Sequence, residues 1–360
     1  MQRTEKSRVQ RSTLCWGAAG VGALALNLAA RLFPSIGEWY AEQIYPLWVN
    51  TLGRLCGWFP FSVTEAGIYV GLLLVLWLLT QLLRGKGRPE QLPGLLFRLA
   101  VALWVLFVLN AGINYQRRTF SELAGYEIQE STVEELTALC EDLITEINGA
   151  AEELEKEPVR TERKMTETAV RAMQRAGESY PALAGYYPRA KRVRSWWYLS
   201  WQQLQGEYSP FTVEANYNGH MPEMDIPSTV CHELSHLKGF MREDEANFIA
   251  YLACRQSDSA AFRYSGALLA YIYSGNALYK ADPEAYLSLR AGLCARAGTD
   301  LEEHNGYWRS FDGAVAKASD RMNDAYLKAN AQKDGTASYG RMVDLLLAWK
   351  RQGGGQDEGR

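Results

Sequence analysis

The 360 residues carry 48% apolar side chains, with 11 Trp and 20 Tyr, and a net charge of -3. That length exceeds one average domain and favours two regions of different character, while the near-neutral charge gives no reason to expect nucleic acid as a partner. Six cysteines without CxxC or paired ribbon spacing leave a redox dithiol and a zinc ribbon equally without support.

Apolar residues concentrate before residue 115. Residues 14–33, LCWGAAGVGALALNLAARLF, are apolar except for Asn27 and Arg31 and have about the length that crosses a bilayer core. Residues 67–83 carry no charge, and residues 95–113 carry only Arg98 near one end, where its side chain can snorkel to the headgroups. Three transmembrane helices are therefore predicted. A cleaved signal peptide is the competing reading of the first, because the basic MQRTEKSRVQR precedes it, but its apolar run is longer than usual for one.

Orientation follows from basic residues. Arg3, Lys6, Arg8 and Arg11 precede the first span and Arg84, Lys86 and Arg88 separate the second from the third, whereas residues 34–66 hold only Arg54. The N-terminus is expected in the cytoplasm and everything after the third span outside, with Arg117 and Arg118 as weak contrary signals. Trp39, Tyr40, Tyr45, Trp48, Trp58 and Phe59 in the outer loop suggest interfacial aromatics lying on the membrane surface.

The predicted division is a membrane region at 1–114, a mostly helical extracytoplasmic domain with a small β element at 115–350, and a flexible tail at 351–360. Ser131 and Glu134 suggest a capping box ahead of an amphipathic helix, and residues 164–177 read as another helix ending at glycine. RAKRVRSWWYLSW (189–201) reads as a surface strand or loop, with a patch facing anionic lipid as its alternative. FTVEANYN (211–218), bounded by Pro210 and Gly219, reads as a short strand. Neither a phosphate-binding glycine loop nor a GxSxG elbow occurs.

The chemistry sits in VCHELSHLKGFMREDEANF (230–248). Asp225, Pro227 and Ser228 signal a helix start and Gly239 an end, giving a predicted helix over 229–238. Four residues apart on one helical face, His232 and His236 can close on one Zn2+, with Glu233 pointing into the same cleft. A hydrolytic zinc needs a third protein ligand and an open position for water. Glu243 is the expected third ligand, with Glu245 as fallback, and Asn247 one turn on can hydrogen-bond a ligating histidine. Zinc would bring the pKa of its water to about 7, with Glu233 as general base toward a peptide bond. His220 and Tyr339 are the guesses for an oxyanion donor. Arg255 and His304 show no ligand spacing and read as structural, and Cys231 reads as packing.

HELSH followed by Glu-x-x-Ala-Asn-x-x-Ala resembles the gluzincin superfamily, particularly its membrane prenyl-protease and heat-shock membrane protease branch, whose pattern is HExxH then ExxAD. The short gap and the Asn in place of Asp look more like the ImmA/IrrE-type peptidases. Across the whole chain, three N-terminal spans, SPFTVEANYN, HLKGFMREDEANF and YLKANAQKDGTASYGRMVDLL are together similar to a bacterial membrane family, the domain of unknown function 3810. The resemblance implies a zinc-peptidase-like outer domain with His232, His236 and Glu243 as ligands and Glu233 as general base.

The resulting expectation is a multi-pass plasma-membrane zinc metallopeptidase that hydrolyses peptide or protein substrates, with the bilayer as its other partner. A substrate chain would lie along a strand beside the zinc helix, and FTVEANYN is the expected edge. Two rivals are a non-catalytic membrane sensor or peptide-binding scaffold that keeps a zinc site, and a zinc amidase acting on cell-wall peptide bonds. Glu233 favours an enzyme over the sensor, because a purely structural site has no use for a base there.

Overall fold

In the computed structural model, which describes residues 2–86, 89–158, 161–330 and 341–354, the chain separates into two units. The first comprises residues 1–117 together with 209–214; the second comprises 118–208 and 215–360. The chain is mainly helical, with one small sheet and three helical stretches long and apolar enough to cross a membrane.

Those stretches are Ser12–Leu32, Val63–Leu83 and Leu92–Gln116. The second begins at Val63 because Ser62 caps it, accepting a hydrogen bond from the Glu65 amide at 3.0 Å. Leu72, Leu73, Leu74, Val75, Leu76 and Trp77 are each more than half exposed, a surface that water disfavours and hydrocarbon accommodates. The third stretch outlasts its expected end because its α-helix, Leu92–Phe107, continues through a π-helical turn at Val108–Gly112. The first and third helices pack together, with Gly20 opposite Val101, the small-residue contact by which helices approach in lipid.

Residues 34–57 form short helices with two further π turns rather than a surface loop. Of the aromatics expected at the membrane surface, Trp39, Trp58 and Phe59 are exposed, whereas Tyr40 and Tyr45 are buried. A side chain at Gly37 would collide with the Gln116 carbonyl, so glycine lets these two segments touch. Beside that contact Arg117 pairs with Glu38 at 2.9 Å, both buried. The 209–214 segment is held in the same unit by Glu214. Its carboxylate accepts from the Val63 and Thr64 amides and the Thr64 hydroxyl at the start of the second span, where unpaired helix N–H groups favour an anion.

In the second unit, helices Val133–Leu154 and Ala260–Ala281 pack along each other and form the core with Glu162–Ser179, Ile226–His236 and Glu243–Arg255. The capping box of the first of these is Thr132 with Glu135, one residue later than the expected Ser131 and Glu134, since Thr132 is the residue with extended backbone torsions. The helix expected at 164–177 runs Glu162–Ser179, capped by Thr161. Of RAKRVRSWWYLSW, Lys191–Val193 is strand β1 and Trp196–Trp201 a short helix.

Strands β2 (Gly206–Ser209) and β3 (Glu214–Asn218) complete a sheet of order β1-β3-β2. β1 runs parallel to β3 in the register Lys191 with Asn216 and Val193 with Asn218. FTVEANYN therefore provides the central strand and not the expected edge. Every residue of β3 is buried, which a two-sided strand requires, and its first three expected residues are a turn. The edge toward the histidine helix is β2. Arg351–Gly354 close the C-terminal helix Met342–Arg351 and a turn, and the rest of the expected tail, 355–360, lies outside the described residues.

Candidate metal centre

Pro227 in the first turn and the hydroxyl of Ser265, which accepts the Ser228 amide at 3.0 Å, start the helix Ile226–His236. Asp225 sits at its head without capping it, because its carboxylate is taken by His304 Nδ1 at 2.9 Å; that pair is the structural role expected for His304. Gly239, at φ +81°, then turns the chain back toward the helix Glu243–Arg255. Phe240 is fully buried edge-on against Phe120, ring centroids 5.4 Å apart, and this fixes the direction of its own carbonyl.

The turn brings His232, His236 and Glu243 together, one ligand atom of each lying within 4.8 Å of the others. His232 Nε2 and Glu243 Oε2 are 3.1 Å apart. One ion held at about 2.0–2.2 Å by three such atoms needs nearly this spacing. Both rings are also oriented for it: His236 Nδ1 donates to the Phe240 carbonyl at 2.7 Å, and His232 Nδ1 meets Asn247 Oδ1 at 2.7 Å. With Nδ1 of each ring taken up in this way, Nε2 is the nitrogen that would ligate a metal.

Glu245 stands outside this group. Its carboxylate accepts from the Phe120 amide at 3.0 Å and from Arg242 at 3.1 Å, anchoring the start of helix Phe120–Ala124, so the fallback ligand is committed elsewhere. Asp244 pairs with Arg341. Arg255 is held by Glu146 and lies over the Trp349 ring, and Cys231 is fully buried. His220 is stacked on Trp196, centroids 3.8 Å apart, in a cluster with Tyr307 rather than in the histidine–glutamate group. Tyr339 lies outside the described residues.

Glu233 is 4% exposed, and its Oε2 is buried without a hydrogen-bond partner among the described residues. Burial pushes its carboxyl up to about 8; the His232 charge opposes this, and the charges of Glu243 and Glu207 add to it. For His232 burial is the largest influence and acts downward, but the Glu243 hydrogen bond and charge, with Glu233 and Asn247, together bring it up to about 9. His236 is pushed down to about 4, first by burial.

Strand β2 closes one side of this group. A Cβ on Gly206 would stand 2.6 Å from Glu233 Oε1 and 2.7 Å from the Asn216 carbonyl, and Tyr208 lies with its ring 6.0 Å from that of His236. Gly206→Ala is expected to cost about 1–3 kcal/mol, because the Asn216 backbone cannot yield, and a thermal melt reads it directly. Three contributors escaped the sequence reading: Gly206, the Phe240 carbonyl and Tyr273, whose hydroxyl meets Asn247 Nδ2 at 3.3 Å. A glycine heading a strand is the one signal that could have flagged the first.

The family model described as Protein of unknown function (DUF3810) matches residues 40–347. No curated protein and no solved structure matches the chain.

Proposed function

For this chain, which belongs to the DUF3810 family, we propose the role of a membrane-anchored, zinc-dependent peptidase. The observation that carries the reading is the buried, unpartnered Oε2 of Glu233 beside the convergence of two imidazoles and a second acid, Glu243. A buried carboxyl without a partner is costly, and such groups persist where chemistry uses them. The donor set of two imidazoles and one carboxylate suits zinc and leaves a position for water.

His232, His236 and Glu243 would hold the ion. Bound Zn2+ supplies Lewis acidity, which polarises a carbonyl and brings the pKa of water to about 7. Glu233 takes the proton of the attacking water at a carboxylate oxygen and gives it to the leaving amine. The Phe240 carbonyl and Asn247 keep the two rings turned toward the ion. A substrate strand would add to the edge of β2, beside Glu233 and His236.

The basic residues before the first span and between the second and third support a cytoplasmic N-terminus and a catalytic unit on the outer face of a plasma membrane.

Metal analysis of the full chain, purified in detergent and dialysed, is expected to find zinc retained. His232→Ala and His236→Ala are expected to lose it with the helical content unchanged by circular dichroism. A native chain that keeps no zinc, or histidine variants that keep as much as native, would overturn the reading.

A further inference from the structure

An asparagine beside a ligating histidine raises a question that a carboxylate does not. A carboxylate only accepts, whereas an amide can present either its oxygen or its NH2 to the ring. In the observed orientation Oδ1 faces His232 Nδ1 at 2.7 Å, so Nδ1 carries a proton and Nε2 is the nitrogen that faces Glu243. The reverse orientation occupies the same space. It would donate to Nδ1, move the ring proton to Nε2 and close that ligand position.

The other end of the amide decides between them. Asn247 Nδ2 faces the Tyr273 hydroxyl, which projects from the helix Ala260–Ala281, and Asn247 is 5% exposed. A hydroxyl can donate as well as accept, so its own hydrogen must be directed elsewhere for the selection to work. In the observed pair Asn247 Nδ2 donates and the hydroxyl accepts, so the hydroxyl meets the amide with a lone pair and its own hydrogen points away from Nδ2.

We propose that Tyr273 is a positioning residue that fixes the amide of Asn247 with its oxygen toward His232, so that the proton the ring keeps when it binds metal is the one on Nδ1. This rests on the metal-centre reading above and adds to it the reason an asparagine suffices at 247. Tyr273 acts through Asn247 and His232 and takes no part in the reaction.

The test is a double-mutant cycle on the full chain in detergent, with zinc affinity read by competition against a chromogenic chelator and the d–d spectrum of Co2+ as a second readout. Tyr273→Phe is expected to weaken zinc about tenfold in the native background and to shift the Co2+ bands. In the Asn247→Asp background, where no reverse orientation exists, the same change should cost less than about twofold. Equal losses in both backgrounds would make Tyr273 a packing residue and overturn the proposal, as would no loss in the native background. If Tyr273→Phe does not fold, Tyr273→Leu, which also removes the acceptor, takes its place in both backgrounds, with the same losses expected and the same outcomes overturning the proposal. A native chain that binds no zinc at all brings down the metal-centre reading itself, a distinguishable result.

Discussion

Glu233→Gln is expected to lower kcat/KM on a cleaved peptide by about 10²–10⁴-fold while leaving the zinc content unchanged. Glutamine keeps the shape of the side chain and removes only the oxygen that takes the proton. Because burial pushes the Glu233 carboxyl up to about 8, the metal-free protein holds it neutral at pH 7, and glutamine resembles that neutral form. The melting temperature of the metal-free variant should therefore match or exceed the native one. A peptide library screened with native and variant chains, alongside metal analysis, separates the alternatives. Zinc retained with activity lost supports the assignment; cleavage undiminished in the variant removes Glu233 from the chemistry. Zinc retained without cleavage by either protein would favour a sensor or peptide-binding scaffold.

What could be read from the chain in advance was local. His232 and His236 are one helical turn apart, so periodicity alone puts them on one face, and Gly239 announced the bend that returns Glu243. The apolar spans were equally legible, because a bilayer imposes a length that composition reveals. Much of what surrounds those pieces was nonlocal, although the Phe240 carbonyl that orients His236 lies only four residues on. Gly206 reaches Glu233 across 27 positions, and Tyr273 reaches Asn247 across 26, through strand order and helix packing that no spacing encodes. The surroundings of Glu245 were also nonlocal, its carboxylate accepting from the Phe120 amide far upstream. FTVEANYN misled for the same reason: alternation identifies a strand, but whether it lies at the edge or the centre depends on which partners arrive, and β1 and β2 take both sides of β3. Tyr40 and Tyr45 looked interfacial by composition and are buried, the Tyr40 hydroxyl donating to the Leu109 carbonyl far along the chain at 2.9 Å.

The second large effect is on the pH dependence of zinc binding. In the metal-free protein at pH 7, His232, near 9, and Glu233, near 8, both hold protons, while His236, near 4, does not. Zinc needs the neutral ring of His232 and its charge disfavours a proton on neighbouring Glu233, so binding should release between about one and two protons. Affinity should therefore rise by about ten- to a hundredfold per pH unit from 6 to 7.5 and flatten as pH passes 9. The metal-free fold moves the other way. The raised His232 and Glu233 values stabilise it fully below the unfolded values of about 6.5 and 4.5, and that stabilisation is lost as pH rises through 9 and 8. The depressed His236 adds stability as pH rises from about 4 to about 6.5, where the unfolded chain binds the extra proton. The gap in melting temperature between zinc-loaded and metal-free chains should thus widen from pH 6.5 to 8.5. Calorimetric titration of zinc in buffers of different ionisation enthalpy counts the released protons directly. A heat independent of buffer would mean that neither group gives up a proton, and that the ion is not held where His232 and Glu243 meet.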